Sequence, residues 1–421
     1  MDSLDKFDWT LGKKETGNVV NTRGRFSQVH EFTVSLDGER IAAPVKTEDN
    51  QFTACVNGEL WPESVEVLWY LRYLNDGRLI GLARIDDMWT LIVDGKPWEQ
   101  RFEFAWQPKI ASDSGKVGLK YKQDMEYGVA VDDKIWDKNY VAIRDFCLSP
   151  DGTKSAATVQ LESLKEADIF HFFEGVWSIA VNGEPWDTKF VNCWNPRFSP
   201  DNSRLATEIR TDIAEYSVAV DGNPWDSRFG CVWSPSFRPG TNSVVAPVRA
   251  EGKWTLAEDG KLIWDNKFVQ LWNHKFSRDG RRIVANAAPE YGQWTIVVDG
   301  KPWPVRFTDM VLDPIFSDDG SKVAAVVKEN DRWTIALDGK AWSSTFDMIW
   351  DPVFTPDSSH ILAQVESDGK YDLAVDGNTI GINAEKMWPP VVKPDGSMVL
   401  LRYIYDGKYY RDIRQMSELV R

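Results

Sequence analysis

The sequence predicts an all-β chain of repeated four-stranded antiparallel sheets, and three observations carry that prediction. The 21 tryptophans of the 421 residues recur with a period near 39. An Asp-Gly or Asn-Gly pair, the strongest short hairpin signal, lies between two apolar strings once per period. No apolar pattern of helical spacing separates those strings. Hydrophobic residues make up 43% and charged residues 27%, an ordinary globular composition. Tryptophan at about one residue in twenty is not ordinary. It excludes disordered, collagen-like and low-complexity classes, because so aromatic a chain can bury enough apolar surface to fold.

The tryptophans fall into three classes. Trp61, Trp98, Trp136, Trp186, Trp225, Trp264, Trp303 and Trp342 follow a turn, at spacings of 37, 38, 50, 39, 39, 39 and 39. A second class opens a W-x-P-x-F-like string, as at Trp350, and a third opens a W-T-I-x-V-like string, as at Trp294. Each repeat therefore reads as four strands. Strand a is Trp350-Asp351-Pro352-Val353-Phe354 and its relatives, with Trp, Pro and Phe on one face by alternation. A reverse turn follows, of the Ser149-Pro150-Asp151-Gly152 type. Strand b is small and apolar, as in Val323-Ala324-Ala325-Val326-Val327, and strand c is Trp294-Thr295-Ile296-Val297-Val298. The Asp-Gly hairpin leads into strand d, which carries the post-turn Trp and usually a Phe four residues on; the third copy has Asp132-Asp133 instead.

Proline fixes the place of strand a. Pro108, Pro196, Pro235, Pro314, Pro352 and Pro390 lie inside it, and a residue without an N–H is tolerated only at a sheet edge. The innermost strand of a propeller blade is such an edge. The expectation is a β-propeller of about ten four-stranded antiparallel blades in a single closed ring, with two smaller propellers as the alternative. Residues 1–421 read as one domain, since no linker or composition break divides them. The chain ends on strands a, b and c without a strand d. Trp9-Thr10-Leu11 and the string Gly17-Asn18-Val19-Val20 with Phe26 align with strands c and d, so an N-terminal strand is expected to close the last blade.

Repeated aromatics at one blade position are expected to be packing units between neighbouring sheets, each burying ~200 Å² and stabilising by at most roughly 5 kcal/mol before entropy is subtracted. The Asp-Gly pairs are what the turn type demands, so they need no metal or sugar. An Asp box of the form S-x-D-x-G-x-x-W is not matched, and no Gly-His accompanies the Trp-Asp pairs; the Ser-Pro-Asp-Gly turn before a small apolar strand is similar to the WD40-like repeats of TolB-type propellers.

No catalytic, cofactor-binding or metal residue is identified. The chain has no G-x-S-x-G, P-loop or G-x-G-x-x-G string; His30, His171, His274 and His360 are isolated, and Cys55, Cys147, Cys193 and Cys231 form no C-x-x-C pair. A net charge of −15 without a basic cluster argues against nucleic acid or an anionic membrane surface as the main partner. The N-terminus lacks a secretory pattern, and no apolar run is long enough to span a bilayer, so the expectation is an intracellular chain with reduced thiols. One irregularity stands out. The 50-residue spacing between Trp136 and Trp186 holds an insertion at 160–176 in a b–c hairpin, acidic first and then aromatic. Ile169, Phe170, His171, Phe172 and Phe173 are its candidate partner-docking residues, since exposed apolar clusters mark interaction sites.

The strings Trp294 to Trp303 and Trp89 to Trp98, of the form W-T-I-x-V-D-G-K-P-W, resemble the tryptophan-rich subunit (TmcD) of the transmembrane cytochrome complex of sulfate-reducing bacteria. The resemblance covers essentially the whole chain and rests on repeat texture. It implies a non-catalytic, cofactor-free accessory subunit of a redox complex, cytoplasmic and held at the inner membrane by its partners. Those would be a multihaem cytochrome c, an iron–sulfur subunit and a membrane cytochrome b. The alternatives are a propeller that binds a small ligand or glycan, and an enzyme with a distributed carboxylate site.

Overall fold

The computed structural model describes residues 4–164 and 168–420 and folds them into ten four-stranded antiparallel blades, an all-β propeller. Strand a is broken into two short pieces in three blades. Numbering blades in chain order from the strand a at Thr33–Val34, blade 7 is representative: Gln270–Phe276, Ile283–Glu290, Gln293–Val298 and Lys301–Pro302 lie side by side in that order. The chain divides into two compact units. Residues 102–306 hold blades 3 to 7; residues 1–101 and 307–421 hold blades 8, 9, 10, 1 and 2. Among the described residues no helix is long and apolar enough to cross a membrane.

The blades are built alike because three residue types perform the same task in most of them, with departures such as Gly128 and Asp133 in blade 3 and Asp372 in blade 9. The Asp or Asn that begins the c–d hairpin does more than suit the turn. Its side-chain oxygen accepts the first N–H of strand b at 2.8–3.0 Å in nine blades, from Asn57 on Ile41 to Asp376 on Ile361. That donor would otherwise lack a partner at the end of the ladder. The Thr or Ser after the strand-c aromatic is buried, and its hydroxyl donates to the carbonyl ten residues on, as Thr90 does to Gln100 and Thr295 to Val305, both at 2.8 Å. This bond pins the segment after the post-turn Trp, beyond the two-residue ladder of strand d.

The third type is the turn glycine. Gly95 and Gly300 have φ of 80° and 79°, which a type I′ hairpin requires. They also lie over the indole of the preceding blade: a Cβ on Gly300 would stand 3.2 Å from Trp264, and one on Gly95 3.1 Å from Trp61. Trp61, Trp136, Trp186, Trp264 and Trp342 are packed in this way beneath the neighbouring hairpin, and Trp98, Trp136, Trp225, Trp264 and Trp303 are buried.

Strand a lies at the edge of its sheet, and its prolines are buried. The expected alternation of Trp, Pro and Phe on one face is broken there by a β-bulge. In blade 5 the register slips between Trp194 and Arg197, with Asn195 at φ 49°, so the Trp is only partly covered while Pro196 is buried.

The last blade is completed by Gly12–Asn18, which pairs antiparallel with Lys408–Gln415. Trp9-Thr10-Leu11 is not a strand, and the Trp9 indole donates to the Leu4 carbonyl at 2.9 Å. Val19 and Val20 begin a helix, Val19–Arg25, because the Asn18 side chain caps it by accepting the Asn21 N–H at 2.9 Å.

Candidate interaction surface

Antiparallel order places the a–b turn and the c–d hairpin at one end of a blade and the b–c hairpin at the other. The first end is closed by repeated bonds. The Ser or Thr of the a–b turn donates to its Asp, as Ser149 does to Asp151 at 2.6 Å and Thr355 to Asp357 at 2.5 Å. Hydrogen bonds from Ser359 and Thr355 hold the Asp357 carboxyl at about 2. A cation just before strand b reaches the next blade's turn: Lys154 donates to the Asn202 carbonyl at 2.9 Å and Lys322 to Ser358 at 2.8 Å.

The b–c end is different. The strand-a tryptophans pair there with the first aromatic of strand c, as Trp69 with Trp89 at 4.9 Å and Trp233 with Trp254 at 4.5 Å between ring centroids. Trp69 remains 54% exposed, so this aromatic layer is partly open to solvent.

The hairpin tips of blades 3 to 7 carry large apolar side chains at four of five positions. Met125, Ile169 with Phe170, Ile213 and Tyr291 are between 62% and 91% exposed. Met125 also has φ of 66°, at the turn position that favours glycine, so a bulky side chain is held there against the backbone preference. The tips of the other unit are Asp49-Asn50, Asp86-Asp87, Asn330-Asp331, Asp368-Gly369 and Asp406-Gly407. Its exposed aromatics Trp69, Tyr70 and Tyr405 lie on strands, not at tips.

The insertion of blade 4 forms a short helix, Ile169–Glu174, between strand b at Ser155–Gln160 and strand c at Trp177–Val181. Lys165, Glu166 and Ala167 lie outside the described residues. Asp168 caps the helix by accepting the His171 N–H at 3.1 Å. Gly175, at φ 92°, ends it so close to Phe190 that a Cβ would stand 2.7 Å from that backbone. The His171 ring lies 3.3 Å from Glu174 and 3.0 Å from Glu162, and these carboxylates, Glu174 first, raise the imidazole above its ordinary pKa. The helix is thus tied to its own blade. Ile169 and Phe170 project, while His171, Phe172 and Phe173 are half-buried, the two phenylalanines edge to face at 5.3 Å.

Strand b holds a feature that the sequence reading missed. Its fourth residue is Lys120, Thr158, Glu208, Asn286 or Gln364 in five blades, Arg402 stands fifth in the last blade, and all six are buried. Lys120 donates to the Arg144 carbonyl at 2.6 Å, and Arg402 to the carbonyls of Ser35 and Pro389. Glu208 accepts the Asn195 side-chain amide at 2.8 Å, and burial raises its carboxyl above the usual range. Aligning the strands b blade against blade would have exposed this column.

Beside Glu208, the strands a of blades 3, 4 and 5 border a groove of 480 Å³. Gln107, Asp145 and Asn195 stand at its bulge level, and Lys109, Cys147 and Arg197 two residues further along. The Asn195 backbone N–H donates to Asp145 at 3.0 Å. Burial pushes the Cys147 thiol up to about 12, opposed by Arg197 and Lys109. Among the described residues, no three His, Cys, Asp or Glu side chains converge to hold a metal ion.

No family model matches the chain, and no curated protein matches it. Among solved structures it is similar to a eukaryotic initiation factor, at 12% identity over 76% of this chain and 88% of the other, with a TM-score of 0.44. It is also similar to the Dos1 propeller, at 10% identity over 95% of this chain and 94% of the other, with a TM-score of 0.36.

Proposed function

We propose that this propeller is a non-catalytic scaffold, an accessory subunit that binds protein partners through the b–c end of blades 3 to 7. One observation carries the reading: large apolar side chains occupy four of the five hairpin tips there, whereas Asp, Asn and Gly occupy the tips of the other unit. Tips bear no burden of the blade's own packing, and solvated apolar side chains on them gain free energy when a partner covers them. The rigid, repeatedly bonded opposite end suits a platform that does not deform when loaded.

The finer reading follows the sequence resemblance. The chain would serve a membrane-associated electron-transfer complex, on its cytoplasmic side, beside a multihaem cytochrome c, an iron–sulfur subunit and a membrane cytochrome b. The repeat texture of Trp89 to Trp98 and Trp294 to Trp303 supports it.

Affinity isolation of the tagged chain from its native host, followed by mass spectrometry and absorbance, tests both levels. The expected result is a defined partner set with haem and iron–sulfur absorbance. That set is expected to be lost from a variant carrying Met125→Asp, Phe170→Asp, Ile213→Asp and Tyr291→Asp, with its β circular dichroism intact. Partners retained in full by the variant would overturn the surface. A stable partner set without redox proteins would overturn the redox complex alone.

A further inference from the structure

We infer that the groove on the strands a of blades 3, 4 and 5 is a binding site for a small phosphate-class oxyanion. The chain as a whole is acidic, at −15, yet this groove holds two cations at matching positions of alternate blades, Lys109 and Arg197. Among the described residues neither side chain forms a hydrogen bond or an ion pair. That sets them apart from Arg238, whose Nε lies 2.7 Å from the Glu258 carboxylate, and Lys154, bonded across to the next blade.

Their spacing follows from the fold. The bulge after the strand-a Trp fixes the register, so the residue that follows the Pro position comes forward in each blade at the same level. In blades 3, 4 and 5 that residue is Lys109, Cys147 and Arg197. Both cations act on the Cys147 thiol, which places them within electrostatic range of one point between them. Gln107 adds a side-chain amide at the level above, where the Asn195 amide is already held by Glu208. Asp145 is the one carboxylate of the lining, and it already accepts the Asn195 N–H.

Such a set suits an anion with several oxygens. A guanidinium grips two oxygens of a phosphate at once, and an ammonium adds a point charge. Leu148, Phe198 and Pro196 wall the groove, which lowers the local dielectric and strengthens both contacts. A volume of 480 Å³ takes a metabolite-sized ligand as well as the bare ion.

Isothermal titration of the full chain with inorganic phosphate, and separately with succinate, at constant ionic strength tests the site. Saturable phosphate binding is expected, weakened about tenfold or more by Lys109→Gln or Arg197→Gln and less by Arg197→Lys. Asp145→Asn, which removes the opposing charge, is expected to tighten it. Phosphate should also slow alkylation of the half-buried Cys147, a readout that needs no substitution. Absence of saturable phosphate binding, binding unchanged in both Gln variants, or tighter binding of succinate than of phosphate would each overturn the assignment. The four-residue tip variant should bind phosphate normally, so the outcome is separate from that of the docking surface.

Discussion

Blades 3 to 7 and the five blades of the other unit share one scaffold and differ in what they display. Both cap strand b with a turn Asp or Asn, and both fasten the outer segment through a buried Thr or Ser. At the b–c tips, Met125, Phe170, Ile213 and Tyr291 stand in one unit against Asp and Asn in the other. Along strand a, the position of Lys109 and Arg197 is apolar in three blades of the other unit, at Ile315, Val353 and Val391, and a cation, Arg72, in a fourth. The difference teaches where the repeat is constrained. Positions that satisfy backbone groups or lie between sheets are fixed by the fold, whereas tips and exposed strand-a positions are free to diverge, and function is to be sought there.

If the scaffold is equivalent in the two units, removing the same element should cost the same in each. Trp264→Ala in one unit and Trp98→Ala in the other delete buried indoles of the same class. Each should destabilise by about 3–5 kcal/mol in urea unfolding. Trp69→Ala, at a half-exposed strand-a position, should cost clearly less. A large cost in one unit and a negligible one in the other would break the equivalence.

Much of this scaffold was legible because its signals are local. Asp-Gly pairs name their own turn, and Pro inside an apolar strand names an edge. What the sequence did not disclose depends on residues that meet across distance. The capping role of Asp299 requires Ile283, 16 residues earlier, which only the folded hairpin brings beside it. The bulge at Trp-x-Pro was hidden because period-2 reading assumes an uninterrupted ladder. The helix at Ile169–Glu174 defeated a hairpin reading because Asp168 supplies a cap that a short aromatic run does not announce. Of the five docking candidates, Ile169 and Phe170 are exposed as such a role requires, while His171 ties the helix to Glu162 and Phe172 and Phe173 are half-buried. Lys109 and Arg197 drew no notice in the sequence, since nothing in one repeat says which side chains the neighbouring strands a bring beside it.

The tips offer a sharper and smaller test of the contrast. Met125 holds a left-handed backbone that glycine adopts freely. Met125→Gly should therefore stabilise the isolated chain by about 1 kcal/mol in urea unfolding, while weakening partner capture. Asp87→Gly, at the equivalent tip of blade 2, should bring a similar or smaller gain without touching partner binding. A gain in stability with capture unchanged would remove Met125 from the proposed surface.

The smallest effect is expected at the fourth residue of strand b, where Glu208 in one unit corresponds to Gln364 in the other. Burial raises the Glu208 carboxyl above its value in the unfolded chain. A raised carboxyl contributes stability that is present below the unfolded value and is lost as pH rises through the folded one. Glu208→Gln fixes the neutral form and keeps an oxygen to accept the Asn195 amide. The variant should therefore match the parent at low pH and exceed it increasingly as pH climbs past the ordinary carboxylate range, then level off. Gln364→Glu should import the same pH slope into the other unit. Urea unfolding from pH 4 to pH 8 measures both. Parallel profiles for Glu208→Gln and the parent would mean that Glu208 is solvated well enough to ionise without cost. That result would extend the polar groove beside Asn195 inward to strand b.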